Sequence, residues 1–228
     1  MVRAQRFPHV VLLFAFILIV TVYASAQRLP DTARPGHYDL KFTPDMNNDT
    51  FTGEEAIDLE VLKPTDTITL NAVDLEMRDI TISQGGSSQK ATVQPIPKDE
   101  MVGLAVQKQL QPGPARIHLR FSGKLNNQLR GFYASTSGGK RYAISQFEAT
   151  DARRAFPCFD EPAMKATFSV TLVAPNGDMA ISNGPVLSDT PGPGSDEHTV
   201  KCANVPIFCC GGGAHTRIGM PSDSPLTH

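Results

Sequence analysis

The sequence predicts an all-β domain built from antiparallel strands in two packed sheets. Apolar and polar residues alternate with a period of two along most of the chain, so that each strand has one buried and one solvated face. Turn-forming residues, including 18 Gly and 18 Pro, separate the alternating runs. Apolar residues nowhere repeat at about 3.6 residues over a helical length, which disfavours amphipathic helices.

The predicted strands follow one another along the chain as short alternating runs. In the first, Tyr38, Leu40 and Phe42 alternate with polar neighbours. The later runs share this pattern and lie at Ile57/Leu59/Val61, Ile68/Leu70, Ile80/Ile82, Val102/Leu104/Val106, Ile117/Leu119/Phe121, Phe168/Val170/Leu172 and Met179/Ile181. Breakers between them include Asn47-Asn48-Asp49, Gly85-Gly86, Pro112-Gly113-Pro114 and Gly138-Gly139. Asn176-Gly177 separates the last two runs and predicts a two-residue β-hairpin.

The composition indicates a protein with a hydrophobic core and no general affinity for polyanions. Hydrophobic residues make up 40% of the 228-residue chain, which is enough for one large domain. The 21 Lys and Arg residues nearly balance the 23 Asp and Glu residues, giving a formal net charge of −2. Nucleic acid is therefore not an expected partner.

Residues 1–26 have the pattern of a signal peptide. Two arginines precede an apolar run from Val10 to Val20, and Ala24-Ser25-Ala26 offers a cleavage site. The run is shorter than the roughly 20 apolar residues that a helix needs to cross a bilayer. We therefore expect cleavage after Ala26 and a secreted, periplasmic or otherwise extracellular protein. If the segment were retained, the protein would be membrane-associated.

The remaining chain is predicted to consist of a β domain at residues 27–201 and a divergent tail at residues 202–228. Beyond Lys201 the alternation stops, so the tail is predicted to be disordered or foreign to the domain. Three cysteines crowd into the tail and Cys158 stands alone in the body of the chain, which argues against a disulfide framework even in an oxidising compartment. A zinc knuckle is not expected in the tail, because no C-x2-C pair with partner ligands occurs there.

No complete set of catalytic residues is recognisable in the sequence. None of the histidines begins a His-Glu-x-x-His pattern, the helical motif that presents two zinc ligands on one face. The nucleophile elbow and the glycine-rich phosphate-binding motifs are also absent. His118 falls on the polar face of its predicted strand and is interpreted as a solvated surface histidine.

One segment, Gln146–Pro162, interrupts the alternation with a high density of charged residues. Gln146 and Glu148 are two residues apart, so in an extended chain their side chains point to the same side. A carboxylate beside an amide offers acceptors to an ammonium group, which carries three donors. The pair is therefore a candidate site for a substrate's amino group.

The same segment has a second, structural interpretation. Arg153 or Arg154 would pair with Asp160 or Glu161 and hold a loop in place, because structural ion-pair networks produce similar spacings. On spacing alone, this structural interpretation is favoured over the binding site.

Four motifs resemble the N-terminal domain of the M1 family of zinc metalloaminopeptidases. Gln146–Pro162 resembles the signature near the end of that domain, and Arg34-Pro35-Gly36-His37-Tyr38-Asp39-Leu40 resembles its opening strand. Phe51-Thr52-Gly53-Glu54 is similar to the second strand, and Ser182-Asn183-Gly184 to a loop close to the domain's end. The resemblance runs from about Leu29 to Lys201, with the motifs in the family's order.

The resemblance implies a saddle-shaped β domain that packs on a thermolysin-like domain holding one zinc ion. Substrates in this family are peptides with a free N-terminus. Gln146 and Glu148 match the residues that receive the substrate's α-amino group, and the family holds the peptide bond after this acid, here Glu148–Ala149, in cis. Asp160 and Glu161 match the motif as well and are assigned a structural role.

The family's zinc-binding helix would follow Lys201, where this sequence continues with an unrelated tail. We therefore expect a truncated recognition domain that binds no zinc and is inactive alone. The alternative is a secreted, non-catalytic β-sandwich that binds a protein or glycan. A reading frame beyond His228 that encodes His-Glu-x-x-His would decide for the aminopeptidase.

Overall fold

The computed structural model describes residues 28–207 and 217–221, and the side chains of residues 28–202. The predicted signal peptide lies outside the described residues, as do residues 208–216 and 222–228 of the predicted tail. The described part of the chain contains no helix that is long and apolar enough to cross a membrane.

The described regular structure consists of strands and two short 3-10 turns, η1 (Pro97–Asp99) and η2 (Ala152–Arg154). The strands are β1 (Ala33–Asp45), β2 (Thr50–Val61), β3 (Thr65–Asn71), β4 (Glu76–Gln84), β5 (Ser87–Ile96), β6 (Met101–Leu110), β7 (Gly113–Lys124), β8 (Gly131–Ser137), β9 (Lys140–Gln146), β10 (Ala166–Pro175), β11 (Asp178–Ile181), β12 (Val186–Pro191), β13 (Glu197–Ile207) and β14 (Arg217–Pro221). The all-β prediction is confirmed.

The strands form one large and one small sheet. The ten-stranded sheet has the order β12-β13-β10-β1-β2-β7-β4-β5-β6-β3, and the four-stranded sheet has the order β11-β14-β9-β8. Phenylalanine rings pack the two sheets together. Phe132 of β8 lies 5.4 Å from Phe42 of β1 and 5.0 Å from Phe51 of β2, measured between ring centroids. The prediction of two packed sheets is therefore also confirmed.

One strand pair departs from the expected antiparallel arrangement. β1 and β10 are parallel, in a register that runs from His37↔Thr167 to Phe42↔Leu172. The other strand pairs in the described residues are antiparallel. Alternation cannot distinguish the two directions, because side chains alternate between faces with a period of two in both.

The hairpin predicted at Asn176-Gly177 is wrong. The edges of β10 are occupied by β1 and β13, and β11 instead joins the small sheet beside β14. The backbone N–H of Asn176 donates to the carbonyl of Asp196 at 3.0 Å. Gly177 supplies a positive φ of 91° for the change of direction. The turn therefore carries the chain from one sheet to the other.

Strand structure extends past the domain boundary expected at Lys201. β13 continues through Ile207, where it pairs with Ala166 of β10, and β14 pairs with β11 and β9. Strand pairing uses backbone groups, so the edge of β10 can be extended by a segment whose side chains do not alternate. Two stretches of the predicted tail are thus strands of the two sheets.

The glycine in the Phe51-Thr52-Gly53-Glu54 motif has a packing reason. Gly53 lies directly across from Phe121 on β7, and a Cβ at this position would overlap the Phe121 ring. The reverse contact occurs next to it, where the Phe51 ring covers Gly123. The two rings fill the space above glycine backbones, which fixes the register of β2 against β7.

Candidate functional site

The segment between β9 and β10 contains the predicted site residues and divides into two parts. Gln146 ends β9, an inner strand of the small sheet, and the chain re-enters the large sheet at Ala166. Residues 146–150 are partly or fully exposed, whereas most residues from Ala152 to Asp160 are buried. We call these the exposed part (residues 146–150) and the buried part (residues 151–162).

An ion pair between Arg153 and Asp160 lies at the centre of the buried part. Nε of Arg153 donates to Oδ2 of Asp160 at 2.9 Å, and the side chains are only 6% and 0% exposed. Burial by itself would lower the pKa of Arg153, but the hydrogen bond and charge of Asp160 outweigh it and raise that pKa. The structural interpretation offered by the sequence is therefore confirmed for this pair.

Glu100 connects the two consecutive arginines of the segment. Its Oε2 accepts from Nη1 of Arg153 at 3.1 Å, and its Oε1 accepts from Nη2 of Arg154 at 3.1 Å. Arg154 also donates to Asp151 at 3.0 Å and to Asp74 at 3.3 Å. Both guanidinium groups are thus surrounded by carboxylates, two of which come from the β3–β4 and η1–β6 connections.

Backbone contacts fix the buried part against the large sheet. Asn71 and Cys158 exchange two backbone hydrogen bonds of 2.8 and 3.0 Å, and the Asn71 side chain accepts from the N–H of Asp160 at 3.1 Å. The N–H of Phe159 donates to the Tyr38 hydroxyl at 3.1 Å. The Glu161 carboxylate accepts from the N–H of Leu29. These contacts agree with the structural role expected for Asp160 and Glu161.

In the exposed part, Gln146 and Glu148 lie together at the end of β9. The N–H of Glu148 donates to the side-chain oxygen of Gln146 at 3.3 Å, and the Glu148–Ala149 bond is cis, as the resemblance implied. Glu148 is exposed, and its carboxylate has no ion pair with any residue of the described chain. Phe147 packs on Phe156 with 5.7 Å between ring centroids, which joins the two parts.

The described residues do not fit a zinc site. Within residues 28–207 and 217–221, no group of three or more His, Cys, Asp and Glu residues could hold a metal ion. His37, His118 and His198 lie at separate places, each beside a different carboxylate: Asp39, Glu54 and Asp189. His118 is on the solvated face, as predicted.

Sequence analysis did not identify Glu100, Asp74 or Asn71 as partners of this segment. Glu100 lies 53 residues before Arg153, and Asp74 lies 80 residues before Arg154. No local spacing marks such pairs, because strand order alone brings them together. Two pairs of this segment lie within the reach of spacing, Arg153–Asp160 at seven residues apart and Arg154–Asp151 at three, and sequence analysis named the first of them.

Comparison with known proteins places this segment inside a family match. The Peptidase M1 N-terminal domain model matches residues 34–206. Aminopeptidase M1 of Arabidopsis thaliana is 44% identical over 171 residues, which cover 71% of this chain and 20% of the relative. Puromycin-sensitive aminopeptidase of Caenorhabditis elegans is 36% identical over 187 residues, 79% of this chain and 20% of the relative. Aminopeptidase 2, mitochondrial, of Saccharomyces cerevisiae is 38% identical over 175 residues, 71% of this chain and 18% of the relative. The chain thus spans about a fifth of the length of these relatives.

Proposed function

This chain belongs to the peptidase M1 N-terminal domain family, and we propose that it is the substrate-recognition domain of a zinc-dependent aminopeptidase. The enzyme would remove N-terminal amino acids from peptides. The chain is an aminopeptidase-related domain, and the relatives reported above are named aminopeptidases. Because it spans about a fifth of their length, the complete activity is proposed for a longer protein.

The proposal depends above all on the Glu148 carboxylate, which is exposed and has no ion pair in the described chain. The other acids of its segment are engaged: Asp151 with Arg154, Asp160 with Arg153, and Glu161 with the backbone of Leu29. A free carboxylate can accept charge-assisted hydrogen bonds from an ammonium group. Glu148 would therefore bind the α-amino group of a peptide substrate.

Gln146 would complete this site by positioning Glu148. Its side-chain oxygen already contacts the Glu148 backbone N–H at 3.3 Å. This contact fixes the backbone that carries the carboxylate, and the Gln146 amide stays next to the position of the substrate's amino group. By resemblance to the family, both residues would belong to the same wall of the substrate site.

Zinc and the activated water would come from a further domain that packs on this one. Four large hydrophobic side chains between Met179 and Leu187 are exposed: Met179 (40%), Ile181 (38%), Val186 (54%) and Leu187 (63%). Exposed apolar side chains such as these are available for burial against another domain. They would contribute to the surface that packs on the proposed catalytic domain, without which the chain would be inactive.

We also propose that the protein is exported and that its mature form begins at Gln27. The proposal rests on the signal-peptide pattern of residues 1–26. N-terminal sequencing of the protein recovered from an expressing cell should start at Gln27. Recovery of a chain that still begins at Met1 would contradict the proposal.

The function can be tested by Glu148→Ala in the complete enzyme that carries this domain. A hydrogen bond to a charged group contributes about 1.5–3 kcal/mol. We therefore expect kcat/KM for peptide substrates to fall by about 10- to 150-fold. Glu76→Ala is the matched control, because Glu76 is an exposed acid on β4 of the large sheet. If the two variants have the same kcat/KM as the wild type, the proposed role of Glu148 is wrong.

A further inference from the structure

A row of charged side chains crosses the outer face of the large sheet, whereas Glu148 follows β9 of the small sheet. Lys41 of β1 pairs with Glu54 of β2, Glu54 pairs with Arg120 of β7, and Arg120 pairs with Arg78 of β4. Directly opposite residues on one face have Cβ atoms about 4.5–5.5 Å apart. The order across the four strands is therefore Lys-Glu-Arg-Arg, with three cations and one acid.

A row of hydroxyl groups lies next to this charged row. Thr43 of β1 pairs with Thr52 of β2, and Thr52 pairs with Ser122 of β7. A concavity of about 210 Å³ opens between the rows and is lined by both threonines and by the four charged residues. Because a water molecule in the liquid occupies about 30 Å³, this volume can hold a small ion together with several waters.

The only acid of the charged row already has another partner. Oε1 of Glu54 lies 2.9 Å from Nε2 of His118, and this hydrogen bond is the main reason why the pKa of Glu54 is lowered. The distance from Oε2 of Glu54 to Nε of Arg120 is 3.9 Å, and that from Asp79 to Arg120 is 3.6 Å. Both ion pairs are therefore loose and leave donors of Arg120 available.

Lys41 and Arg78 are engaged less closely than Arg120. Across the part of the chain that the structure describes, neither lies within ion-pair distance of a carboxylate, and Lys41 acts on Glu54 only through its charge. Arg78 is directly opposite Arg120, and like charges in such pairs destabilise a sheet. An anion in the concavity would offset this repulsion.

Arg116 lies on the same face of β7 and, unlike Arg120, forms two close ion pairs. Its Nη1 lies 2.6 Å from Asp58, and its Nη2 lies 2.8 Å from Asp39. The two acids raise the pKa of Arg116 against the opposing effect of burial. Two close carboxylates therefore neutralise the positive charge of Arg116, whereas the charges of Arg78 and Arg120 are not neutralised by close carboxylates.

We propose that this concavity binds a tetrahedral oxyanion, either free phosphate or sulfate or the same group as an ester. Guanidinium groups match the oxygens of such anions with paired N–H donors, and Lys41 adds a point charge. The hydroxyls of Thr43 and Thr52 donate the remaining hydrogen bonds. The site is separate from Gln146 and Glu148, so it does not depend on the proposed aminopeptidase function.

The proposal is tested by titrating the purified chain with inorganic phosphate while the side-chain N–H resonances of its arginines are followed by NMR. Chloride at matched ionic strength serves as the reference, because exposed ion pairs are screened by salt. We expect saturable shifts at Arg78 and Arg120 and none at Arg116. Arg78→Gln should weaken binding by about three- to tenfold, whereas Arg116→Gln should leave it unchanged.

Glu54→Gln provides a test that misfolding cannot imitate, because the substitution should tighten phosphate binding, whereas misfolding would weaken it. Removing the only carboxylate of the concavity should tighten phosphate binding by about three- to tenfold. Methyl phosphate distinguishes the two sources: binding at least as tight as that of inorganic phosphate shows that the site accepts an ester group, and weaker binding assigns it to the free ion. Absence of saturable shifts, or weaker binding by Glu54→Gln, would overturn the proposal.

Discussion

The exposed and buried parts of the segment between β9 and β10 use their charges in opposite ways. In the buried part, Arg153 and Arg154 are surrounded by carboxylates at distances of 2.9–3.3 Å. In the exposed part, the Glu148 carboxylate has no ion pair within the described residues. Two adjacent stretches of one connection therefore differ in whether their charges are already bound.

This difference fits two roles: the buried part would support the site, and the exposed part would recognise the substrate. The buried network contacts β3, the β3–β4 connection and the η1–β6 connection, so it can hold the end of β9 in a fixed position. Because the two arginines are occupied by other acids, they remain engaged away from Glu148. A carboxylate that is held in place and forms no ion pair with the described residues is suited to bind a cationic group that comes from outside the domain.

The largest expected effect is the absence of peptidase activity and of bound zinc in the purified chain. Among the described residues, no group of His, Cys, Asp and Glu fits zinc, and we propose that bond cleavage requires a further domain. We expect the purified chain to hydrolyse no aminoacyl chromogenic substrate, with or without added zinc, and to bind no stoichiometric zinc by elemental analysis. Turnover above background that a chelator abolishes would contradict this expectation. An aminopeptidase assayed in parallel provides the positive control.

The next largest effect is on stability: a substitution in the buried part should lower the free energy of unfolding much more than one in the exposed part. Arg153→Ala leaves the Asp160 carboxylate buried without its main partner, and such a loss costs about 3–5 kcal/mol. Glu148→Ala removes an exposed side chain and should change the free energy of unfolding by about 0.5 kcal/mol or less. Urea unfolding of the two variants and the wild-type chain measures both values.

Glu100→Gln keeps this comparison testable if Arg153→Ala does not fold. It weakens the contacts of one carboxylate with both arginines, so we expect a loss of about 1–3 kcal/mol in the free energy of unfolding. If Glu148→Ala destabilised the chain as much as the changes in the buried part, the separation of support from recognition would be wrong.

The sequence predicted the features that depend on local pattern. Alternation identified the buried faces of the strands: Tyr38, Leu40 and Phe42 are all in the core. Spacing identified the Arg153–Asp160 pair as one possible ion pair, and the family resemblance identified Gln146 and Glu148 as a substrate site. The buried faces and the ion pair are confirmed, because each depends on residues close together in the chain, whereas the role of Gln146 and Glu148 stays a prediction.

The sequence did not predict features that depend on which strands become neighbours. The parallel pairing of β1 with β10 has the same alternation as an antiparallel pairing, and Asn176-Gly177 follows a strand whose two edges are already occupied. Glu100 reaches Arg153 only because strand order brings η1 beside η2. The same arrangement engages Arg153 and Arg154 with other acids, and in the described residues neither forms an ion pair with Glu148.

The central claim is that Glu148 binds an ammonium group, and a thermodynamic cycle in the complete enzyme tests it most directly. Two inhibitors are compared, an amino-acid hydroxamate and its counterpart without the α-amino group, on the wild type and on Glu148→Gln. If Glu148 contacts the ammonium, the substitution should weaken the first inhibitor by about 10- to 150-fold and leave the second unchanged. The coupling energy would then be about 1.5–3 kcal/mol. Equal changes for both inhibitors, or no change for either, would contradict the claim.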